Sequence, residues 1–218
     1  MTTSGVFQPS SNSRFALGCG GLFLLVLVGL LAPMIFVRTP FYSREGYPVY
    51  QPVQFDHRHH VADDGIDCRY CHTTVEKSST AGFPSVQTCM NCHSQVWNES
   101  PALRPVREAY FTGMPIRWQR VHRLPDFVYF DHSIHIAKGV GCVECHGRVD
   151  EMPLVMQTTP MTMGFCLECH RDPAPRLRPK EAIFDRAWKP PADRRALGLE
   201  LMDRYDVHTR TSCTTCHR

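Results

Sequence analysis

No strong charge of either sign marks this chain of 218 residues. Its 24 basic side chains stand against 21 acidic ones, for a formal net charge of +3. That balance excludes the basic stripe by which a protein grips nucleic acid. Apolar residues are not scarce either: 43% hydrophobic against 21% charged excludes wholesale disorder. Long unbroken regular stretches are scarce, because 17 prolines and 14 glycines interrupt the chain. Extended helices or a large sheet are therefore excluded outside a few segments. Complete disulfide pairing is excluded too, because 11 cysteines is an odd number. A second long apolar run is also missing.

The one such run covers residues 15–37, 23 uncharged residues between Arg14 and Arg38. As a helix it would reach about 34 Å, enough to cross a bilayer core. A cleaved signal peptide has a shorter apolar region and a small-residue cleavage site. Leu30-Leu31-Ala32-Pro33-Met34 lacks that pattern. A soluble core helix would be amphipathic, and this run is apolar all round. The sequence thus predicts a cytoplasmic tail over 1–14, a transmembrane anchor over 15–37 and an exported domain over 38–218. Cys19 reads as a small apolar residue inside the membrane, because too little apolar sequence precedes it for a lipoprotein signal. Residues 39–54 read as an extended lead-in and residues 173–180 as a linker. Residues 192–205 carry Leu197, Leu201 and Tyr205 at helical spacing and read as a packing helix.

The remaining cysteines fall into one pattern. Cys-x-x-Cys-His occurs at Cys68, Cys71 and His72, and again at Cys89, Cys92 and His93. It recurs at Cys142, Cys145 and His146, at Cys166, Cys169 and His170, and at Cys213, Cys216 and His217. About 0.03 matches would arise by chance in this composition, so counting against the template settles the matter. Two thiols at this spacing can form thioethers to the two vinyl groups of one haem, and the next histidine then lies under the iron. Zinc would take two Cys-x-x-Cys pairs per ion and has no use for a histidine after each. Thioredoxin-like dithiols would need a βαβ pattern that is missing here. The reading is five covalent c-type haems, with His72, His93, His146, His170 and His217 as proximal ligands. Such attachment belongs to the outer, oxidising side of a bacterial inner membrane. That puts 38–218 in the periplasm.

Seven further histidines remain. Phe55-Asp56-His57-Arg58-His59-His60 and Phe130-Asp131-His132-Ser133-Ile134-His135 share the phrase Phe-Asp-His-x-x-His, offset by 75 residues. Each phrase precedes two attachment motifs. The chain is therefore a duplicated two-haem module, about 55–93 and 130–170, followed by a fifth haem at 213–217. His57, His60, His132 and His135 are the candidate distal ligands for four irons. The fifth distal ligand is His122 or Met163, with Met152, Met156 and Met161 also near; a thioether would raise that haem's potential. His59 and His208 read as surface or propionate-contact residues. Glu144 and Glu168, inside two motifs, read as solvated acids.

The layout resembles the class III and c7-type multihaem cytochromes. The stretches 121–132 and 161–170, the five motifs and the single anchor more closely resemble the pentahaem cytochrome c family found in bacterial alternative complex III. That resemblance implies partners: an iron–sulfur subunit related to molybdopterin enzymes, polytopic subunits at the quinone site and a monohaem cytochrome, beside membrane lipid. The expected fold is mainly helical and irregular, with one transmembrane helix and a haem-cored domain with little sheet. The expected function is electron transfer from a quinol-oxidising respiratory or photosynthetic complex to a periplasmic or membrane acceptor. The chain itself would then not be the enzyme. The alternatives are the cytochrome subunit of another quinol-linked reductase complex, or a multihaem reductase. The last would need an iron with an open position.

Overall fold

The computed structural model describes residue 8 and residues 10–217. Most of the expected tail, residues 1–7 and 9, lies outside the described residues. The chain divides into two compact units, residues 1–44 and residues 45–218.

In the first unit, helix α1 runs over Ser11–Phe36. It is 26 residues long and contains no buried residue. At 1.5 Å per residue it measures about 39 Å, long and apolar enough to cross a bilayer. It begins one turn earlier than the 15–37 run, so Ser11 to Arg14 are helical. Pro33 lies inside it, which transmembrane helices tolerate. A short helical turn α2, Pro40–Ser43, follows and ends at Arg44 with φ 59°. The extended lead-in expected over 39–54 is therefore replaced at its start, because Pro40 fixes a helical φ at the first position.

The second unit is a succession of short helices. They are α3 (Cys68–Cys71), α4 (Val86–His93), α5 (Arg104–Thr112), α6 (His132–Ala137), α7 (Val143–His146), α8 (Met163–Arg171), α9 (Arg194–Arg204) and α10 (Cys213–Cys216). A π-helical turn covers Arg58–Asp63. Among the described residues there is no strand, only isolated bridges such as Pro48 to Met156 and Val140 to Leu177. The fold is thus mainly helical and irregular, as the proline and glycine content dictates.

The polypeptide buries little of itself. Val53, Met90 and Val106 form one small cluster with Trp118 packed against it. Leu177 and Leu201 are the large side chains with no exposure at all. The Leu177 region overturns the linker expected at 173–180. Ala174 and Leu177 are fully buried, and the Arg178 amide donates to the Gly139 carbonyl at 2.9 Å. Prolines there fold the chain into tight turns whose apolar residues point inward; they do not hold it extended in solvent. Helix α9 lies on this segment, entered through Asp193, whose carboxylate accepts from the Ala196 amide at 2.8 Å. Gly198 makes the approach possible: a β-carbon there would stand 1.8 Å from the Ala174 carbonyl oxygen.

Candidate functional site

The attachment motifs lie on short helices, three of a single turn and two, α4 and α8, of two turns or a little more. One turn brings the two cysteines of a Cys-x-x-Cys pair to the same side, and the histidine follows at the helix end. None of the ten motif cysteines is in a disulfide; Cys92 and Cys213 are exposed and the others partly covered. Burial pushes the Cys142 and Cys145 thiols up to about 11, with neighbouring thiols adding to the effect.

The histidine rings are oriented by backbone. His72 Nδ1 lies 2.8 Å from the Gly82 carbonyl, His93 Nδ1 3.0 Å from that of Val96, His170 Nδ1 3.0 Å from that of Arg210, and His217 Nδ1 3.1 Å from that of Phe127. A carbonyl only accepts, so each Nδ1 carries the hydrogen and donates it. The Nε2 lone pair is left free, the form in which imidazole binds a metal. Gly82 has φ +76°, and a side chain there would collide with Thr74. Glycine therefore lets the loop turn its carbonyl onto His72.

The two Phe-Asp-His-x-x-His phrases fold alike. His60 Nδ1 donates to the Asp56 carbonyl at 2.9 Å and His135 Nδ1 to the Asp131 carbonyl at 2.6 Å, four residues back in each case. The aspartate side chains cap the turns, Asp56 accepting from the Arg58 amide at 2.9 Å and Asp131 from the Ser133 amide at 2.8 Å. Phe55 stacks on His60 at 4.3 Å and meets His57 edge-on at 4.7 Å. Phe130 does the same to His135 at 4.5 Å and His132 at 4.8 Å. The phrase is thus a device for holding two imidazoles. Its phenylalanine, aspartate side chain and carbonyl all serve the rings, roles that a search for ligands alone passes over. The three oriented histidines of the phrases include His132, whose Nδ1 donates to the Ser79 carbonyl at 2.8 Å.

The rings then meet in pairs. His60 faces His93 at a centroid separation of 6.0 Å, His135 faces His170 at 6.1 Å, and His132 faces His146 at 6.2 Å. A metal bound by one nitrogen of each ring at about 2 Å sets the ring centres about 6 Å apart. His57 neighbours His72. Burial first, then the charges of His72 and His60, push His57 down to about 4. Its Nδ1 is buried with no hydrogen-bond partner, which leaves a polar atom to be satisfied by something other than the chain. Burial, with His122 and His132 beside it, likewise pushes His146 down to about 3. These rings are held neutral, as ligands must be. Four pairs follow one rule: the first histidine of each phrase stands with the first motif of its module, the second with the second. The residues present fit haem iron between paired imidazoles.

His122 and Met163 are in different positions. His122 Nε2 lies 3.1 Å from His146 Nδ1, on the side of that ring away from an Nε2-bound metal. Met163 opens α8 with its side chain 63% exposed, one turn before Cys166. Of the spare histidines, His208 is exposed and bonded to Asp206. His59 stacks flat on Trp97 at 5.6 Å and pairs with Asp63 and Asp64. Glu168 is 72% exposed, a solvated acid as expected. Glu144 is not: its side chain is only 9% exposed and meets Arg176 at 3.4 Å, Arg178 at 3.5 Å and Arg194. The sequence could not show this, because those arginines come from the segment that reads as a linker and from α9.

Residues 128–218 match the family of cytochrome c7 and related cytochromes c, and residues 36–112 match the class III cytochrome C family. The chain is a multihaem cytochrome c. Those two stretches are similar to the c7 and class III types respectively; the chain carries covalently bound c-type haem and transfers electrons. It is also similar to the "Menaquinone reductase, multiheme cytochrome c subunit" of Nitratidesulfovibrio vulgaris (strain Hildenborough), at 36% identity over 129 residues. That match covers 59% of this cytochrome and 60% of the relative, so it spans less than two thirds of either.

Proposed function

We propose that this cytochrome is a membrane-anchored pentahaem electron carrier of a quinol-oxidising complex of the alternative complex III kind. Each of the five motifs holds one haem by two thioethers, with its histidine as the proximal ligand. His57, His60, His132 and His135 are the distal ligands of four haems. Met163 is the distal ligand of the fifth, since His122 Nε2 is engaged with His146. The bound haems supply one-electron redox chemistry. The chain's own residues fix the imidazoles through carbonyls, keep them neutral by burial and exclude water from the iron. Helix α1 anchors the chain in the inner membrane, with residues 1–14 inside and the haem domain in the periplasm. The electrons come from quinol through polytopic quinone-site subunits and an iron–sulfur subunit, and leave through a monohaem cytochrome or another acceptor.

The observation that carries this reading is the paired rings at 6.0 to 6.2 Å. Irons taken from both sides, four by paired histidines and the fifth by His217 and Met163, have no position for a substrate, which favours transfer over a multihaem reductase. The native reduced protein is expected to bind no carbon monoxide rapidly at any haem, followed by its absorption spectrum. Fast binding of one equivalent would make it an enzyme.

A second reading is favoured by the relative named as a menaquinone reductase subunit, in which electrons run toward quinone. Purification from membranes in mild detergent separates the two. Co-purified complex that is reduced by added quinol supports the first reading. Complex that passes electrons from a reduced soluble cytochrome to added quinone supports the second.

A further inference from the structure

Haems exchange electrons with their nearest neighbours, so the order of the motifs in space decides the path. That order is not the order of the chain. Motifs one and two adjoin: Asn91, inside the second, donates to the Tyr70 hydroxyl, inside the first, at 3.1 Å. Motif one then adjoins the distal phrase of motif three. The loop after motif one offers Ser79 and Ser78 carbonyls, which accept from the amides of His132 and Ser133 at 3.2 Å each. The same Ser79 carbonyl holds His132 Nδ1 at 2.8 Å. Motifs three and four are bridged by one guanidinium: Arg176 reaches Glu144 at 3.4 Å and Glu168 at 3.2 Å. Motif four adjoins the strap leading to motif five, since the Arg210 amide donates to the His170 carbonyl at 3.3 Å and the Arg210 carbonyl accepts from His170 Nδ1.

The exposed motif cysteines, Cys92 and Cys213, belong to motifs two and five.

We propose that the five motifs stand in single file in the order two, one, three, four, five. Motifs two and five are then the ends at which electrons enter and leave. The module duplication explains the inversion. Each phrase binds its own two motifs together, and the two modules join through their first motifs. Motif five is left at the far side of motif four. Only electrons pass along such a file, so no bond is made or broken and no proton must follow.

This inference rests on the reading of one haem per motif, and the test keeps the two apart. The mass of the intact, full-length holoprotein reports the haem count by itself. Fewer than five haems overturns both. With five present, electron cryo-microscopy of the detergent-solubilised holoprotein gives the iron positions. The iron of motif two is expected nearest to that of motif one, and the iron of motif five nearest to that of motif four. The short distance between modules is expected from motif one to motif three. An iron of motif two closer to motif three than motif one is, or an iron of motif five within the file, overturns the order and leaves the haem count standing.

Discussion

Chain made without haem is expected to show no cooperative thermal transition, while the holoprotein melts in one. The reason lies in how little the polypeptide buries against itself. Ten apolar side chains form the buried set among the described residues, and of the large ones only Leu177 and Leu201 have no exposure. A fully buried side chain contributes about 1.5–3 kcal/mol. Ordering the backbone costs about 1–2 kcal/mol per residue. A set of this size spread over residues 45–218 is too small to offset that cost, and the helices that carry the motifs are too short to persist alone. Porphyrins and their ligand bonds complete the core, so ligand binding is folding. Circular dichroism of chain expressed without haem attachment, heated beside the holoprotein, checks this. A comparable midpoint in both would show that the polypeptide has a sufficient core of its own.

Removing one distal ring is expected to change one haem completely and leave the others in place. On the proposed ligation, His135→Ala deletes the partner that faces His170 at 6.1 Å. No other histidine phrase can replace it, because His132 is held by the Ser79 carbonyl and faces His146. Phe130 loses the ring it stacks on, and the Asp131 carbonyl loses its donor. One low-spin ferric signal should give way to a high-spin one in electron paramagnetic resonance. The reduced variant should bind one equivalent of carbon monoxide where the native protein binds none. The potential of that haem should rise, since a neutral imidazole that favours the ferric state is gone. His208→Ala, at an exposed side chain paired with Asp206, should leave spectrum and binding unchanged. An unaltered spectrum for His135→Ala would remove this residue from the ligand set.

Much of this was legible before any fold was known. The five Cys-x-x-Cys-His motifs state their chemistry in five consecutive residues, because one helical turn suffices to present both thiols. The long apolar helix is legible for a similar reason: an uninterrupted apolar run has no polar face to present to water, so α1 needs no tertiary context to be read. The repeated phrase was legible as a duplication. Its two aspartates and two phenylalanines, which fix the rings, act within six residues and repeat in both copies. The helix at Arg194–Arg204 was visible, as residues 192–205, from the spacing of Leu197, Leu201 and Tyr205; its Asp193 cap came from the structure.

Other features were out of reach because they join distant segments. The carbonyls of Gly82, Arg210 and Phe127 that orient His72, His170 and His217 are backbone groups, identical in every residue and invisible as sequence. Residues 173–180 have the composition of a linker, yet their few apolar side chains meet α9 across some twenty residues of chain. Glu144 resembles any exposed acid until Arg176, Arg178 and Arg194 converge on it.

The sequence by itself thus determined the covalent haem cofactor, the motifs proposed to attach it and the long apolar helix, because those depend on covalent spacing and local periodicity. The tertiary structure decided which imidazole faces which, and it supplies the contacts from which the order of the motifs is proposed. Both depend on contacts between segments tens of residues apart, where chain order carries no information about distance.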